Sequence, residues 1–322
     1  MTCHDVFNGD ADGLCALHQL RLAAPRHCHL VTGPKRDVRL LARIDAREGD
    51  SVTVLDISLD VNRAALDGLL ARGVDVTWFD HHYAGEVPVH PALSATIDSA
   101  PDVCTAMLVD RHLGGRYRAW AVVAAYGDNL HASAERLGRS LSLADAEAGE
   151  LRSLGEALAY AGCGEREEDL LIRPADLYAI LHRYQDPLRF VAAEPVIRTL
   201  REGARADLAA ARTVSPAFTP LGTEVYQLPD AAWSRRVASL FANELARRAP
   251  ARAHVVLTPG ERGGWWVSVR APLAAPHGAD RLCRQFPQGG GRAAAAGING
   301  LPAARLPEFL EALDAAFPGI AP

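Results

Sequence analysis

Four short motifs contain most of the residues of this sequence that could do chemistry. The first is Asn8-Gly9-Asp10-Ala11-Asp12-Gly13, a turn bounded by glycines that holds two carboxylates two residues apart. Such a turn can present oxygens to one or two hard cations. A solvated acidic turn is the simpler alternative. An EF-hand loop is rejected because its twelfth position would be Gln19 instead of a bidentate Glu.

The other three motifs place an aspartate at the end of an apolar segment. They are Asp56, the run Asp80-His81-His82, and Asp128 in Tyr126-Gly127-Asp128-Asn129. Alone, Asp56 indicates a strand cap and Asp128 a helix C-terminus. Two adjacent histidines behind an aspartate are harder to dismiss, because imidazole suits transition metals such as Mn and Zn.

A glycine-rich segment near the C-terminus indicates a different chemistry. Gly289, Gly290 and Gly291 precede Arg292. Their backbone N–H groups could surround an anion, and Arg292 could add a bidentate contact. The alternative is a flexible loop beside the alanine-rich segment that follows.

The elements that must position these motifs alternate between strand and helix, which predicts an α/β domain with a doubly wound parallel sheet. The predicted strands are residues 6–7, 27–31, 51–56 and 74–79, and the predicted helices are residues 14–22, 39–46 and 61–70. The aspartates of the first three acidic motifs come directly after these strands. Because the carboxyl ends of parallel strands meet at one edge of a sheet, we expect these side chains to converge there.

The rest of the chain predicts a helical connection and a smaller α/β C-terminal domain. Residues 102–200 have mostly helical spacing, and residues 201–222 have the composition of a linker. The predicted strands of the second domain are residues 223–227, 253–257 and 265–269, and its predicted helices are residues 232–247 and 306–317. We therefore expect a catalytic domain at 1–200, a linker at 201–222 and a substrate-binding domain at 223–322.

Composition narrows the classes of function. The 322 residues carry a formal net charge of −5, which argues against tight binding of long nucleic acid. No apolar run is long enough to cross a membrane, and no signal peptide is recognisable, so a cytoplasmic location is expected. The six cysteines form no CxxC pair, and we expect free thiols. Lys35 is the only lysine, which we attribute to compositional bias.

The order and spacing of the motifs resemble those of the DHH superfamily of phosphoesterases. The sequence contains DADG, an aspartate closing a strand, DHH, GD and a C-terminal GGGRxxAAG in that order. The last motif, with the strand around Arg270, resembles the C-terminal domain of the first subfamily, which includes RecJ exonucleases and nanoRNases. The resemblance spans nearly the whole chain.

This resemblance implies a site for two metal ions, usually Mn²⁺, with Mg²⁺ or another divalent ion as alternatives. Asp10 and Asp56 would hold one ion, and the other would be held by Asp12, Asp56, His81 and Asp128. Asp80 would orient His81, and His82 would contact the scissile phosphate. Gly289, Gly290, Gly291, Arg292 and Arg270 would bind the substrate.

The chain departs from the family's pattern at one place. The family usually has a histidine two or four residues before the first aspartate, where this sequence has Asn8 and Val6. Asn8 could ligate through its amide oxygen, but more weakly than imidazole.

The function expected is hydrolysis of short oligonucleotides or dinucleotides to mononucleotides. The alternatives are a phosphatase of a small phosphorylated metabolite and a non-catalytic nucleotide or metal sensor. Short nucleic acid or a nucleotide is the expected partner, without a membrane or long DNA, and a homodimer is left open.

Overall fold

The computed structural model describes residues 1–219, 222–260 and 263–319. The chain divides into two units, Met1–Gly203 and Ala204–Pro322. The predicted boundary at residue 200 falls within a helix that continues to Arg212, so residues 201–212 are helical. Of the turn residues expected at the end of the linker, Pro220 and Leu221 lie outside the described residues.

The first unit contains a sheet of five parallel strands in the order β2-β1-β3-β4-β5. The strands are β1 Cys3–Phe7, β2 His29–Val31, β3 Ser51–Leu55, β4 Asp75–Asp80 and β5 Leu93–Ile97. The four predicted strands are present. The fifth was missed because β5 is an exposed edge strand, and its sequence therefore lacks a buried apolar run.

Helices pack on the sheet and on one another, as in doubly wound folds. They are α1 Ala11–Ala23, α2 Arg63–Ala71, α3 Thr105–His112, α4 Arg118–Gly127, α5 His131–Gly138, α6 Asp145–Ala161, α7 Pro174–Leu181, α8 Pro187–Ala193 and α9 Pro195–Arg212. One face packs on α2 through a core that includes Val54, Leu66 and Trp78. The strand order reverses direction between β1 and β3, which is where ligands bind in such sheets.

The helix predicted at residues 39–46 is wrong. Only Leu40–Arg43 forms a single 3₁₀ turn. Leu40, Leu41 and Ile44 are buried against the sheet, and their spacing imitates an amphipathic helix. Spacing alone cannot separate a helix from an irregular segment that buries the same residues.

A disulfide joins Cys3 to Cys28, which corrects the prediction of six free thiols. The two residues lie at the same end of the parallel pair β1 and β2, because His4 is the register partner of His29. Their Cα atoms are 4.7 Å apart although 25 residues separate them. A search for closely spaced cysteines could not find this pair. Cys15, Cys104, Cys163 and Cys283 are free thiols.

The second unit contains a mixed five-stranded sheet in the order β6-β7-β8-β10-β9. Its strands are β6 Thr223–Gln227, β7 Ala253–Pro259, β8 Trp265–Arg270, β9 Gly289–Gly291 and β10 Ala295–Leu301, and its helices are α10 Ala232–Arg248, α11 Ala279–Cys283 and α12 Leu306–Ala316. The predicted strands and helices are present. The strands β9 and β10 were missed because their alanines and glycines give no period, and α11 was missed because five residues are too few to show one. Within the described residues, no helix has both the length and the apolar character that a membrane span requires.

Candidate metal centre

Acidic side chains meet at the carboxyl edge of the first sheet, as predicted. Asp10 lies three residues after β1, Asp56 directly follows β3, and Asp80 is the last residue of β4. All three are buried, at 3%, 2% and 0% exposure. Buried carboxylates require a counter-charge or hydrogen-bond donors, so the arrangement indicates a cation site.

The Asn8–Gly13 turn places Asp10 as the N-cap of α1. Its Oδ1 accepts hydrogen bonds from the backbone N–H groups of Asp12 (3.0 Å) and Gly13 (3.3 Å). A Cβ atom at position 13 would lie 2.1 Å from the carbonyl oxygen of Asn8, so only glycine fits there. The turn is therefore built to hold one carboxylate against a helix N-terminus, where the helix dipole favours negative charge.

Asp12 faces the N-terminus of α3. Its two oxygens accept hydrogen bonds from the backbone N–H groups of Thr105 and Ala106, each at 2.7 Å. The hydroxyl of Thr105 also donates to Oδ1 of Asp56, at 3.1 Å. Thr105 thus connects the first and second acidic motifs, although no pattern in the sequence distinguishes it from the other threonines.

His81 brings its ring to three of the aspartates. Its Nε2 lies 3.4 Å from Oδ1 of Asp56 and 3.9 Å from carboxylate oxygens of both Asp12 and Asp128. Its Nδ1 lies 2.9 Å from the carbonyl oxygen of Val103. A carbonyl can only accept, so Nδ1 carries the proton and Nε2 of the neutral ring presents a lone pair, as in metal-bound histidines.

Asp80 orients His82 instead of His81, which corrects the prediction. Its Oδ1 lies 2.7 Å from Nδ1 of His82. Asp80 therefore meets His82, while Nε2 of His81 faces Asp56, Asp12 and Asp128. The His82 side chain is 45% exposed, and its Nδ1 also lies 3.9 Å from Asp56. The Asp80–His82 pair therefore has one buried member and one that solvent or substrate can reach.

Asp128 reaches the site from the C-terminus of α4, where it is the cap residue. The helix end fits closely against its neighbours, because a Cβ at Gly127 would lie 2.4 Å from Cβ of Ala11 and 2.9 Å from the carbonyl oxygen of Gly155. The helix-cap interpretation of this motif is confirmed, and the role of Asp128 as a metal ligand stays a prediction. Asp128 closes a helix and also lies near His81.

Lys35 lies among these aspartates, a position that none of the sequence motifs predicted. Its Nζ lies 2.5 Å from Oδ2 of Asp10 and 3.7 Å from Oδ1 of Asp128. Lys35 follows β2 and so stands at the same sheet edge as the acidic motifs. Two features of the sequence could have identified Lys35: it follows a predicted strand, and it is the only lysine of the chain.

The positive charge of Lys35 affects the three aspartates Asp10, Asp12 and Asp56 unequally. Burial acts to raise the pKa of Asp10, but the Lys35 ammonium outweighs it and the pKa is lowered. Burial raises the pKa of Asp12, with His81 opposing part of the effect. Burial and repulsion from Asp12 and Asp10 raise the pKa of Asp56 well above its usual value. Positive charge is thus deficient around Asp12 and Asp56, and not around Asp10.

The pKa of His81 indicates the same lack of positive charge around Asp12 and Asp56. Burial alone would lower the pKa of His81, but the protonated ring can donate from Nε2 to Asp56, and this bond together with the nearby charges of Asp56 and Asp12 raises the pKa to about 10. A position that favours a proton so strongly also favours a metal cation, which competes for the same lone pair.

The donor set fits a divalent transition metal. Asp56, His81 and His82 each offer one ligand atom, and these atoms lie within 4.8 Å of one another. Asp12 adds a carboxylate oxygen 3.9 Å from Nε2 of His81. Mixed carboxylate and imidazole ligands suit Mn²⁺ or Zn²⁺ better than Mg²⁺.

Asn8 has other partners than the expected metal ion. Its Oδ1 accepts a hydrogen bond from the backbone N–H of Asp10 (3.3 Å), and its Nδ2 donates to the carbonyl oxygen of Lys35 (3.2 Å). Its amide therefore ties the acidic turn to the segment that carries Lys35.

The glycine-rich segment of the second unit is a strand and not the expected anion loop. Gly289–Gly291 forms β9 at the edge of the sheet and pairs with β10. The N–H of Gly289 donates to the carbonyl oxygen of Phe286, and the N–H of Arg292 donates to that of Ala295. These two N–H groups are engaged within the protein. Arg292 itself is exposed, in the turn between β9 and β10.

Arg270 has contacts with α10 that differ from its predicted role in substrate binding. Its Nε donates to Oδ1 of Asn243 at 2.5 Å, and its terminal nitrogens donate to the carbonyl oxygens of Val269 and Ser239. These bonds fasten β8 to α10.

No protein-family model matches the sequence, and no curated protein matches it. The structure, however, is similar to several solved structures. A crystal structure of exonuclease RecJ bound to manganese is similar over 98% of this chain and 89% of that chain, with a TM-score of 0.65 at 19% identity. RecJ from Thermus thermophilus, in complex with Mn²⁺, gives a TM-score of 0.66 at 19% identity, and the match covers 98% of this chain and 51% of that one.

A third similar structure is the pGpG-specific phosphodiesterase from Vibrio cholerae. The match covers 98% of each chain, with a TM-score of 0.56 at 14% identity. RecJ belongs to the superfamily that the sequence resembles, and the fold which that resemblance implied is confirmed. At these identities the likeness concerns the fold.

Proposed function

We propose that this chain is a divalent-metal-dependent phosphoesterase of the DHH type that hydrolyses short oligonucleotides or dinucleotides to mononucleotides. One observation carries the proposal: Nε2 of His81 faces Asp12, Asp56 and Asp128, while Nδ1 is held by a backbone carbonyl. A buried imidazole and three carboxylates around one point make a metal site of the kind that catalyses phosphoryl transfer.

Asp12, Asp56, His81 and Asp128 would hold the metal ion. Bound metal would lower the pKa of a water molecule and neutralise charge on the phosphate. His82 is the group best placed for proton transfer in the reaction, because Asp80 holds its Nδ1 while the ring remains partly exposed. This partner fixes the proton on Nδ1 and leaves Nε2 as the acceptor.

The choice of substrate rests on the similar structures and on charge. One of those structures is an exonuclease and another is named as specific for pGpG. The net charge of −5 disfavours long nucleic acid, which is bound through many phosphate contacts. Short substrates need few such contacts. A cytoplasmic location stays a prediction, and the Cys3–Cys28 disulfide weighs against it, because disulfides are rare in reducing compartments.

The proposal is tested by a Mn²⁺-dependent activity screen with pApA, pGpG, cyclic dinucleotides, an RNA of about five nucleotides and long single-stranded DNA. We expect turnover of the short linear substrates, little on long DNA, and more activity with Mn²⁺ than with Mg²⁺. The variant His82→Ala should lose most of this activity. Binding of dinucleotide without turnover would favour the sensor, and turnover of small phosphomonoesters alone would favour the metabolite phosphatase.

A further inference from the structure

The ammonium of Lys35 occupies the position beside Asp10 where the fold family implies a second metal ion. Nζ is 2.5 Å from Oδ2 of Asp10 and 3.7 Å from Oδ1 of Asp128. The other oxygen of Asp10 already accepts hydrogen bonds from the backbone of Asp12 and Gly13. Both oxygens of Asp10 thus have partners inside the protein.

The backbone of Lys35 is held in place on both sides. Its N–H donates to the carbonyl oxygen of Gly162 at 2.8 Å, and its carbonyl oxygen accepts from Nδ2 of Asn8 at 3.2 Å. A Cβ at Gly162 would lie 2.9 Å from Cα of Asp10, so this approach is possible only for glycine. Lys35 is therefore brought to Asp10 by contacts from separate parts of the chain.

The composition of the chain supports a specific need for lysine here. Every other basic residue apart from histidine is arginine, and the single lysine stands in the site. A primary ammonium is a compact point charge, whereas guanidinium is planar and larger. Because the chain has arginine at all its other Lys/Arg positions, the lysine at position 35 indicates a specific need for an ammonium there.

We propose that this chain binds one divalent ion, at Asp12, Asp56, His81 and Asp128, and that the Lys35 ammonium replaces a second ion at Asp10. A divalent ion at Asp10 would be repelled by the ammonium and would have to displace it. In the reaction, the ammonium would supply the fixed positive charge that stabilises the phosphate on that side. This inference rests on the proposed function, from which it takes the first ion.

Metal stoichiometry tests the inference without any activity. Equilibrium dialysis against Mn²⁺ followed by elemental analysis should find one ion per wild-type chain. Lys35→Ala should bind a second, weaker ion, because Asp10 loses its counter-charge. Lys35→Arg, which keeps the charge, and Arg39→Ala, which removes an exposed charge from the same segment, should each bind one ion.

The wild-type protein gives two further readouts, so the test does not depend on the stability of a variant. Electron paramagnetic resonance should show isolated Mn²⁺, without the coupling of two neighbouring ions. Acetylation of Lys35 by an amine-reactive ester, mapped by mass spectrometry, should be slow and unchanged by saturating Mn²⁺. Since Lys35 is the only lysine, its peptide is distinguished by mass from that of the N-terminal amine, which also reacts.

The results separate this inference from the proposed function. Two coupled ions in the wild type, with faster acetylation of Lys35 when Mn²⁺ is added, would overturn the inference and leave the phosphoesterase intact. One ion in both wild type and Lys35→Ala would also overturn it. No Mn²⁺ bound to the wild type would overturn the proposed function, and this inference with it.

Discussion

Asp56 has a backbone conformation that few aspartates adopt. Its φ is +60°, in the left-handed region that costs a side-chain-bearing residue free energy and is tolerated best by Asn and Asp. Its N–H donates to the carbonyl oxygen of Phe79, which fixes the end of β3 against β4. Such strain clusters at functional sites, and here it directs a carboxylate toward His81 and Thr105.

The first prediction concerns the charge of Asp56. Asp56→Asn keeps the left-handed backbone and the size of the side chain but removes the negative charge. We expect Mn²⁺-dependent turnover to fall by more than about 100-fold, since loss of a metal-binding carboxylate costs several kcal/mol of transition-state stabilisation. The measurement is kcat/KM on pApA.

The matched control is Asp75→Asn, an exposed aspartate at the start of β4. It should retain wild-type turnover. A loss of less than about tenfold in Asp56→Asn would contradict the role assigned to this carboxylate. An equal loss in both variants would point to a general effect on folding.

At the scale of elements, close contact between helices places Asp128. The C-terminus of α4 meets α1 and α6 at Gly127, where a side chain has no room. Overpacking a tight contact typically costs about 1–3 kcal/mol and shifts the backbone. Asp128 is the next residue, so a shift there would move a carboxylate of the site.

The second prediction follows from this contact. Gly127→Ala should lower the free energy of unfolding by about 1–3 kcal/mol and weaken Mn²⁺ binding. Gly149→Ala in α6 is the matched control, because the space around Gly149 is open within 4 Å. It should stabilise the protein by about 0.5–1 kcal/mol through helix propensity. Urea unfolding and Mn²⁺ titration measure both effects, and unchanged Mn²⁺ affinity in Gly127→Ala would refute the positioning role.

The third prediction concerns His18, which is buried in α1. Its Nε2 lies 2.7 Å from the carbonyl oxygen of Tyr184 and therefore carries the proton. Its ring meets that of Trp120 edge to face. Burial lowers the pKa of His18 to about 4, because a second proton would place a charge in this apolar setting.

In the unfolded state, His18 has a pKa of about 6.5 and is protonated below that pH. In the folded state, His18 stays neutral until the pH falls to about 4. The stability contributed by neutral His18 is thus complete above about pH 6.5 and is lost as the pH falls toward 4. Relative to His18→Gln, the wild type should lose roughly 1.4 kcal/mol per pH unit in that window. Urea unfolding at about pH 7.5, 6 and 5 checks this, and a constant difference between the two proteins would show that His18 does not titrate as described.

At the scale of the whole molecule, the two units differ in the side chains that they hold. The first holds the carboxylates and imidazoles, and the second contains an exposed arginine, Arg292, in a turn. We propose that Arg292 binds a terminal phosphate of the substrate, as an arginine fork can. Fewer backbone N–H groups than expected are available to an anion beside Arg292, because Gly289–Gly291 is a strand.

The fourth prediction tests that role. Arg292→Ala should raise KM for pApA at least several-fold, because a charged contact to phosphate is lost. It should change little on bis-p-nitrophenyl phosphate, which has no terminal phosphate. Arg247→Ala, an exposed arginine of α10, serves as the control. Equal losses on both substrates, together with a lowered melting temperature, would mean that Arg292 has a structural role.

The sequence alone was sufficient to predict four strands of the first sheet and the edge at which its candidate site lies. Strands such as β3 and β4 have runs of β-branched and apolar residues, and these local patterns predict their type. Once the strands are parallel, Asp10, Asp56 and Asp80 must share one edge. The exposed edge strand β5 and the irregular segment around Leu40 were not predictable, because burial there does not follow a simple period.

Only the tertiary structure decided which side chains meet within the site. Asp12 bonds to Thr105 across 93 positions of sequence, and Val103 selects the orientation of His81. From the sequence we attributed Lys35 to compositional bias, whereas the fold places its ammonium between Asp10 and Asp128. Local patterns carry the period of an element, whereas pairings between distant segments depend on how those elements pack, and no local pattern records that.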